Sequence, residues 1–390
     1  LSTEYGPAVK RYLRDEFDIH ALVELDLTDE RVFPDATTTG LLTFVEKSSE
    51  PNPNSPLRCI RVTEWPGTEP LLRAITAGVS DNPEWGEIYQ VTQGDLDPTA
   101  NWATLFNSLE IDTSQLPSLS SLATVQSGPS TGANDFFCLS ESDATEWQIE
   151  PTYRVPVALN AASIPHYDYR SGDFERQREH DKDVWLLSGF NDADTIHELQ
   201  TAIQSGTVDA APPSPSLSTA PSDQEPELPL VAHYLAYGRE NDVHTRYDPR
   251  RRSPWFDVAP PAPAPILAIS ASRNEYRFVK NEAEVHHLNT LYGIYPDGLD
   301  DQEENALLAY LNSGVCSEII HHHTRGLGDG LTKLRVSTLK NLPVLDPRTI
   351  DDDTVDALAT TYTALRDAAR CDEGTAAIRA ELDRLVKQTV

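Results

Sequence analysis

Apolar residues recur along the first fifty positions with two different periods. Tyr5, Val9, Tyr12, Leu13 and Phe17 fall at helical spacing over residues 4–17. The nearly continuous apolar run of residues 19–27 then predicts a buried strand, and after the turn-forming VFPDA a second strand is expected over 39–47. The run LRCIRVTEW (57–65), a helix around 70–79, a strand over 87–93 and a stretch around Trp102 close this part. Helix, strand, turn and strand with no preceding start signal read as the tail of an α/β sheet.

From about residue 107 the texture changes to short strands and turns in which Gly, Ser, Pro and aromatic residues are mixed. Residues 205–229 are Pro- and Ser-rich with scarcely an aliphatic side chain, the composition of a flexible linker or excursion. PAPAP (261–265) leads stiffly into the strand ILAIS. Towards the end, three Asp at 351–353 mark a helix start, where they favour the macrodipole, and Val355, Leu358, Tyr362 and Leu365 follow at helical spacing. A last helix is expected from about Gly374, with Ile378, Leu382 and Leu385 on one face. The expected fold class is α+β: part of an α/β sheet in residues 1–106, then a mixed α+β domain over 107–390 that ends in helices. At roughly 100–200 residues per domain, 390 residues fit two or three domains.

Composition narrows the setting. Acidic residues number 62 against 31 Lys plus Arg, a formal net charge of −31, which excludes a simple basic nucleic-acid binder on bulk charge. Within the basic class only 7 are Lys and 24 are Arg. An acidic, Lys-poor surface with 39% hydrophobic residues fits a protein that works in molar salt, where the Debye length falls to about 3 Å and self-repulsion is screened. Cys59, Cys138, Cys316 and Cys371 stand far apart without a Cys-x-x-Cys pair, which fits a reduced compartment. No apolar run approaches the roughly 18 residues of a membrane span, so a cytoplasmic protein without a membrane partner is expected. Residue 1 is Leu and Met is absent, so the sequence is expected to be a portion of a longer chain or one from which modified methionines are omitted.

The candidate chemistry is mostly negative. His321, His322 and His323 are adjacent, and adjacent helical residues point in different directions, so they do not converge on one metal ion. GLGDGL (326–331) lacks the strand–turn–helix context of a dinucleotide fingerprint and reads as a turn that lets backbone approach a ligand. Positive charge, by contrast, is clustered. Arg246, Arg250, Arg251 and Arg252 lie beside Tyr247, Trp255 and Phe256; Arg273, Arg277 and Lys280 form a second group; Arg325, Lys333, Arg335 and Lys340 form a third around the glycine turn. Arg beside aromatic rings suits phosphate forks and base stacking. The bland alternative is an Arg cluster that neutralises neighbouring acids.

The order of these segments resembles the C-terminal two-thirds of a TaqI-like (Eco57I-like) N6-adenine DNA methyltransferase. Residues 4–47 resemble the last stretch of that family's catalytic domain, including its VF turn. SGPSTGANDFF (127–137) resembles the signature that opens the target recognition domain. LPLVAHYLAYG (228–238) with RYDPRRRSPWF (246–256), then ILAIS, RFVKN, LNTLYGIYP, ALLAYLNS, GLGDGLTKLRVSTLKNLPV and AELDRLV follow in the family's order.

That resemblance implies specific roles. Phe33, the aromatic of the VF turn, would stack on the flipped target adenine. Thr131, Gly132 and Asn134 would shape a recognition turn. Arg246, Arg250, Arg251, Trp255, Arg273 and the turn carrying Gly328 would line a cleft for double-stranded DNA, with Lys333, Arg335 and Lys340 available for phosphates. The methyl donor of the complete enzyme would be S-adenosylmethionine. The family's glycine-rich cofactor motif and its Asn-Pro-Pro-Tyr motif both precede the VF turn, and neither occurs in this sequence; Asn82-Pro83-Glu84-Trp85 follows that turn instead. The expectation is a recognition portion of a site-specific methyltransferase, inactive alone, whose catalytic or nuclease portion lies elsewhere. The rivals are a non-enzymatic DNA-binding specificity subunit, a decayed interaction protein, or an acidic glycan-active enzyme.

Overall fold

The computed structural model describes residues 6–27, 40–77, 82–98, 102–106, 112–213, 228–272, 276–323, 332–371 and 373–390. The first part contains α1 (Gly6–Glu16), β1 (Phe17–Leu25), β2 (Gly40–Lys47), β3 (Pro56–Val62), α2 (Thr68–Thr76) and β4 (Gly86–Thr92). Its sheet has the order β2-β1-β3-β4; β1 and β3 are parallel, and both flanking pairs are antiparallel. Strand β1 is buried on both faces, which is why it reads as a continuous apolar run. Ala21, Val23 and Leu25 meet Ile60, Val62 and α2 residues Leu71, Ala74 and Ile75. Ile19 and Leu22 meet Leu57, Cys59, Trp102 and Phe106, with Leu13 of α1 alongside. A register shift at Ile19/Ala21 places one extra residue in β1, which lets Ile19 share a face with Leu22 despite their odd spacing. Helices therefore cover both faces of a mixed sheet.

The remainder begins with β5 (Ala123–Ser127), α3 (Asn134–Phe137), β6 (Cys138–Leu139), α4 (Glu141–Glu146), β7 (Arg154–Ala158), β8 (Asp168–Tyr169), α5 (Ser171–Glu179), β9 (Trp185–Leu187) and α6 (Ala193–Ser205). It continues with α7 (Val231–Glu240), β10 (Ile266–Ile269), β11 (Ala271–Ser272), β12 (Phe278–Asn281), β13 (His286–His287) and β14 (Leu291–Pro296). The end comprises α8 (Asp301–Leu311), α9 (Gly314–His323), β15 (Thr332–Lys333), α10 (Val336–Lys340), α11 (Asp352–Arg370) and α12 (Ala376–Thr389). The fold class is α+β, as expected.

A five-stranded sheet, order β5-β14-β10-β12-β8, is the centre of this part. Its strands alternate between two cores, as period-2 side chains must. Ile266, Ala268, Phe278, Tyr292 and Ile294 face the C-terminal helices, among them Leu308, Tyr310, Leu358 and Tyr362. Leu267, Ile269, Val279 and Leu291 face the opposite way, against Tyr169, Phe174 and Val184. A second sheet, β13-β7-β9-β6, packs with α6 and α7 into an aromatic-rich third core. The helix starting at the Asp triplet is capped by Asp351, whose carboxylate accepts from the Thr354 amide at 2.9 Å.

Helix α11 is fastened to β8 and α5 by a buried ionic network. Asp168 is completely buried and accepts from Nε of Arg170 and Nε of Arg370, both at 2.6 Å, while Arg370 reaches Asp173 at 2.5 Å. Arg366 bonds Glu282 at 2.6 Å. Two buried carboxylates shared among several guanidiniums hold each other's charge in a place where an unpaired charge would be very costly.

Residues 206–213, read as linker from their composition, are held in place. The Thr207 amide donates to Ala202, His233 Nδ1 contacts the Asp209 carbonyl at 2.8 Å, and Gln148 Nε2 donates to the Pro213 carbonyl at 2.6 Å. Residues 214–227 of that expected linker lie outside the described residues, and Leu228 at its end packs against the third core. No described helix is long and apolar enough to cross a membrane.

Candidate nucleic-acid interface

Antiparallel pairing decides which loops meet. Strand β5 ends, β14 begins, β10 ends and β12 begins at the same end of the five-stranded sheet. Short hydrogen bonds tie the emerging segments together. The Asn289 amide donates to the Pro129 carbonyl at 3.2 Å, Ser270 Oγ to the Thr290 carbonyl at 2.6 Å, and the Leu334 amide to the Ser270 carbonyl at 2.9 Å. The ribbon formed by β11 and β15 pairs Ala271 with Lys333 and Ser272 with Thr332. Three separated parts of the sequence therefore converge on one end of one sheet.

The turn at 130–134 is built by local polar chemistry. The Ala133 amide donates to Thr131 Oγ1 at 3.1 Å, and that hydroxyl donates in turn to the Asn134 side-chain carbonyl. Thr131 is buried, whereas Asn134 opens α3 with its side chain exposed. Gly132 holds φ +70°, and a Cβ there would stand 2.6 Å from Asp248 Cβ and 2.9 Å from Pro249 Cδ. Glycine thus serves both the left-handed backbone and the close approach of a second segment.

That second segment is residues 246–255. Ser130 Oγ donates to Asp248 at 2.7 Å, and the Arg252 guanidinium donates to the carbonyls of Ser130 and Thr131, the latter at 2.8 Å. Arg252 also lies 5.3 Å from the Phe137 ring, and its burial lowers its pKa. Arg246 bonds Asp135 at 2.5 Å and holds that carboxyl below its usual range. Pro249 is buried and begins the short turn Pro249–Arg251, which leaves Arg250 and Arg251 exposed. Both guanidiniums lie against the Tyr247 ring, at 5.3 and 5.0 Å from its centroid, and Arg251 donates to the Tyr247 hydroxyl at 3.0 Å. Trp255 is half-buried and engaged by Phe136, Phe137, Phe256 and His244.

Charge separates these groups further. Arg246 is neutralised by Asp135, and Arg252 is consumed by backbone carbonyls. Arg250 and Arg251 form no ion pair among the described residues, although acids outnumber bases two to one. Lys340 is exposed at the end of α10 and Arg335 is exposed at its N-cap, near the Tyr292 phenol. The second basic group divides: Arg277 is pulled inward to the Ile164 carbonyl at 2.9 Å, with its pKa lowered by burial, and Lys280 binds Asp301 and Glu304 at the opposite end of β12. Phe33, Arg273 and Gly328 lie outside the described residues, and of Lys333 only the backbone is described.

Gly86 at the start of β4 and Gly94 just beyond its end serve close backbone packing, with their Cβ positions 2.1 Å from the Arg61 carbonyl and 3.0 Å from the Pro53 carbonyl. No group of three or more metal-ligating side chains occurs among the described residues.

With strands, turn and basic cluster in place, comparison with known proteins is informative. Residues 101–209 and 216–386 match the family described as the C-terminal domain of the type II methyltransferase M.Eco57I, and the chain belongs to that family. The chain is similar to the type II methyltransferase M.AccI of Acinetobacter calcoaceticus, at 23% identity over 93% of this chain and 60% of M.AccI. A shorter similarity, 26% identity over 29% of this chain and 22% of the relative, is to the type II methyltransferase M.XamI of Xanthomonas campestris pv. amaranthicola. Among solved structures, the type IIG restriction endonuclease BpuSI aligns with 98% of this chain and 44% of its own, at 13% identity and a TM-score of 0.40. The chain thus spans 60% of M.AccI's length.

Proposed function

We propose that this chain is the DNA target recognition portion of an adenine-N6 DNA methyltransferase of restriction-modification type, with the end of the catalytic domain in residues 1–106 and the recognition domain in 107–390. The observation that carries the reading is the pair Arg250 and Arg251, exposed on a fixed turn and without acidic partners among the described residues of a chain of net charge −31. A basic pair left open on such a surface is equipped for phosphate oxygens or a guanine edge. Family membership and the similarity to two type II methyltransferases support the setting.

The partner is double-stranded DNA. Arg250 and Arg251 read bases or grip phosphates, Arg335 and Lys340 approach the backbone from α10, and Thr131, Gly132 and Asn134 hold the turn that carries the pair. Arg273, Lys333 and the glycine turn around Gly328 extend the same surface, and Phe33 stacks on the extruded adenine. In the complete enzyme the methyl donor is S-adenosylmethionine, supplied by residues outside this sequence. Replacing Arg250 and Arg251 together with Ala is expected to weaken duplex binding by about 1–3 kcal/mol per base-reading contact. Fluorescence anisotropy with labelled duplex DNA measures this, and unchanged binding would mean that the cluster has no part in recognition.

A further inference from the structure

Tyr247 is a large aromatic residue that remains 63% exposed, which packing alone leaves unexplained. Among the described residues it is the side chain shared by two guanidiniums that form no ion pair there: Arg250 lies 5.3 Å and Arg251 5.0 Å from its ring centroid, and its hydroxyl accepts from Arg251 at 3.0 Å. The backbone beneath is fixed independently. Pro249 is buried against Gly132, Asp248 bonds Ser130, and the Arg251 amide donates to the Asp248 carbonyl at 3.1 Å. Long Arg side chains on an exposed turn otherwise explore many rotamers, and immobilising them at binding is costly. A ring that collects both before DNA arrives removes part of that cost, because the face of an aromatic ring attracts guanidinium without neutralising it.

We infer that Tyr247 is a positioning residue for recognition: its ring holds Arg250 and Arg251 as a preformed two-pronged donor for a phosphate or guanine edge of duplex DNA. The inference rests on the proposed DNA-recognition reading and adds to it a residue that acts through the arginines. Tyr247 need not touch DNA at all. Asp or Glu near the pair would also order it, but at the expense of its charge; the ring orders it and leaves the charge available.

The test is duplex binding by anisotropy, with a mixed-sequence labelled duplex at low salt, for the wild-type chain, Tyr247→Leu, Tyr247→Phe, Arg250→Ala/Arg251→Ala, and the triple variant carrying Tyr247→Leu. Tyr247→Leu is expected to weaken binding about 5- to 10-fold, the equivalent of freeing one or two long side chains. Tyr247→Phe keeps the ring and is expected to restore most of the affinity. In the background lacking both arginines, Tyr247→Leu is expected to change nothing, since it acts only through them. An unchanged thermal midpoint shows that the turn itself is intact. Equal binding by Tyr247→Leu and wild type, or an equal loss with and without the arginines, overturns the positioning role while leaving DNA recognition in place. No duplex binding by the wild-type chain overturns the recognition reading and the inference together.

Discussion

Gly132→Ala bears on the joint between the turn and the basic cluster. The new methyl would sit 2.6 Å from Asp248 Cβ, about 0.8 Å inside the 3.4 Å at which ordinary contact begins, and 2.9 Å from Pro249 Cδ. Neither neighbour is the far end of a flexible side chain. The left-handed φ of +70° adds about 1–2 kcal/mol for a residue with a Cβ. Relief of the overlap requires the Asp248–Pro249 segment to withdraw, which stretches the 2.7 Å bond from Ser130 to Asp248 and loses roughly another 1 kcal/mol. Together these predict destabilisation of about 2–3 kcal/mol, read from denaturant unfolding followed by circular dichroism. Duplex binding should weaken at temperatures where the protein is still folded, because Arg250 and Arg251 move with the displaced turn. Gly172→Ala, in the first turn of α5 with nothing within 4 Å of its Cβ, is the matched control and should leave stability the same or slightly higher. A Gly132→Ala protein within about 0.5 kcal/mol of wild type would refute the account of the joint. So would one of reduced stability but unaltered affinity, by showing that the turn does not position the arginines.

Other consequences are open to measurement. Burial alone would raise the Asp173 carboxyl, but hydrogen bonds from the Arg370 guanidinium and the Arg170 backbone amide outweigh it and bring its pKa to about 2. Because the folded-state value is depressed, this stabilisation is complete above about pH 4 and is lost as pH falls towards 2, an effect of about 2 kcal/mol. Asp173→Asn should flatten that acid limb of stability and lower stability at neutral pH by about 3 kcal/mol; an unchanged acid limb would count against the network. If only a few cations face DNA, the log–log dependence of affinity on salt should be shallow, with a slope of about −3, and a slope steeper than about −6 or loss of binding between moderate and molar salt would contradict adaptation to high salt. The 390-residue chain with labelled S-adenosylmethionine and duplex DNA should transfer no methyl group; measurable turnover would show that residues 1–390 hold a complete catalytic centre after all.

Elements with one dominant local signal were legible in the sequence. The Asp triplet and the spacing of Val355, Leu358, Tyr362 and Leu365 anticipate α11, and each of those four side chains is buried. Strand β1 and helix α2 were visible as an apolar run and an amphipathic segment. On α12 the periodicity was right but the face was turned slightly, since Val386 is fully buried and Leu385 only partly so. Composition did not show that residues 206–213 are held, by the carbonyls of Asp209 and Pro213 together with Val208 packed against the aromatic-rich core. Long-range pairing was invisible. Nothing local to RCDEG (370–374) or HYDYR (166–170) shows that Arg370 and Asp168 meet, and nothing in SRNEYRFVKN shows that Arg277 and Lys280 leave the surface that Arg273 was expected to share. The basic cluster at 246–252 was legible as charge, but its division into a neutralised Arg246, a structural Arg252 and an open pair depends on Asp135, Ser130 and Thr131, more than a hundred residues away. Trp255 was expected in a cleft, and nothing local in the sequence showed that its half-buried ring rests against Phe136 and Phe137.

The mounting of residues 246–252 separates positions that are fixed from positions that are not. The segment belongs to no sheet; it is clipped to the scaffold by Asp248 on Ser130, Pro249 against Gly132, Arg252 on two carbonyls and Arg246 on Asp135. None of these attachments uses the side chains of positions 247, 250 and 251. Positions 250 and 251 can therefore vary while the clip stays constant, and on the proposed recognition reading a change in what is contacted there would require no repacking of any core.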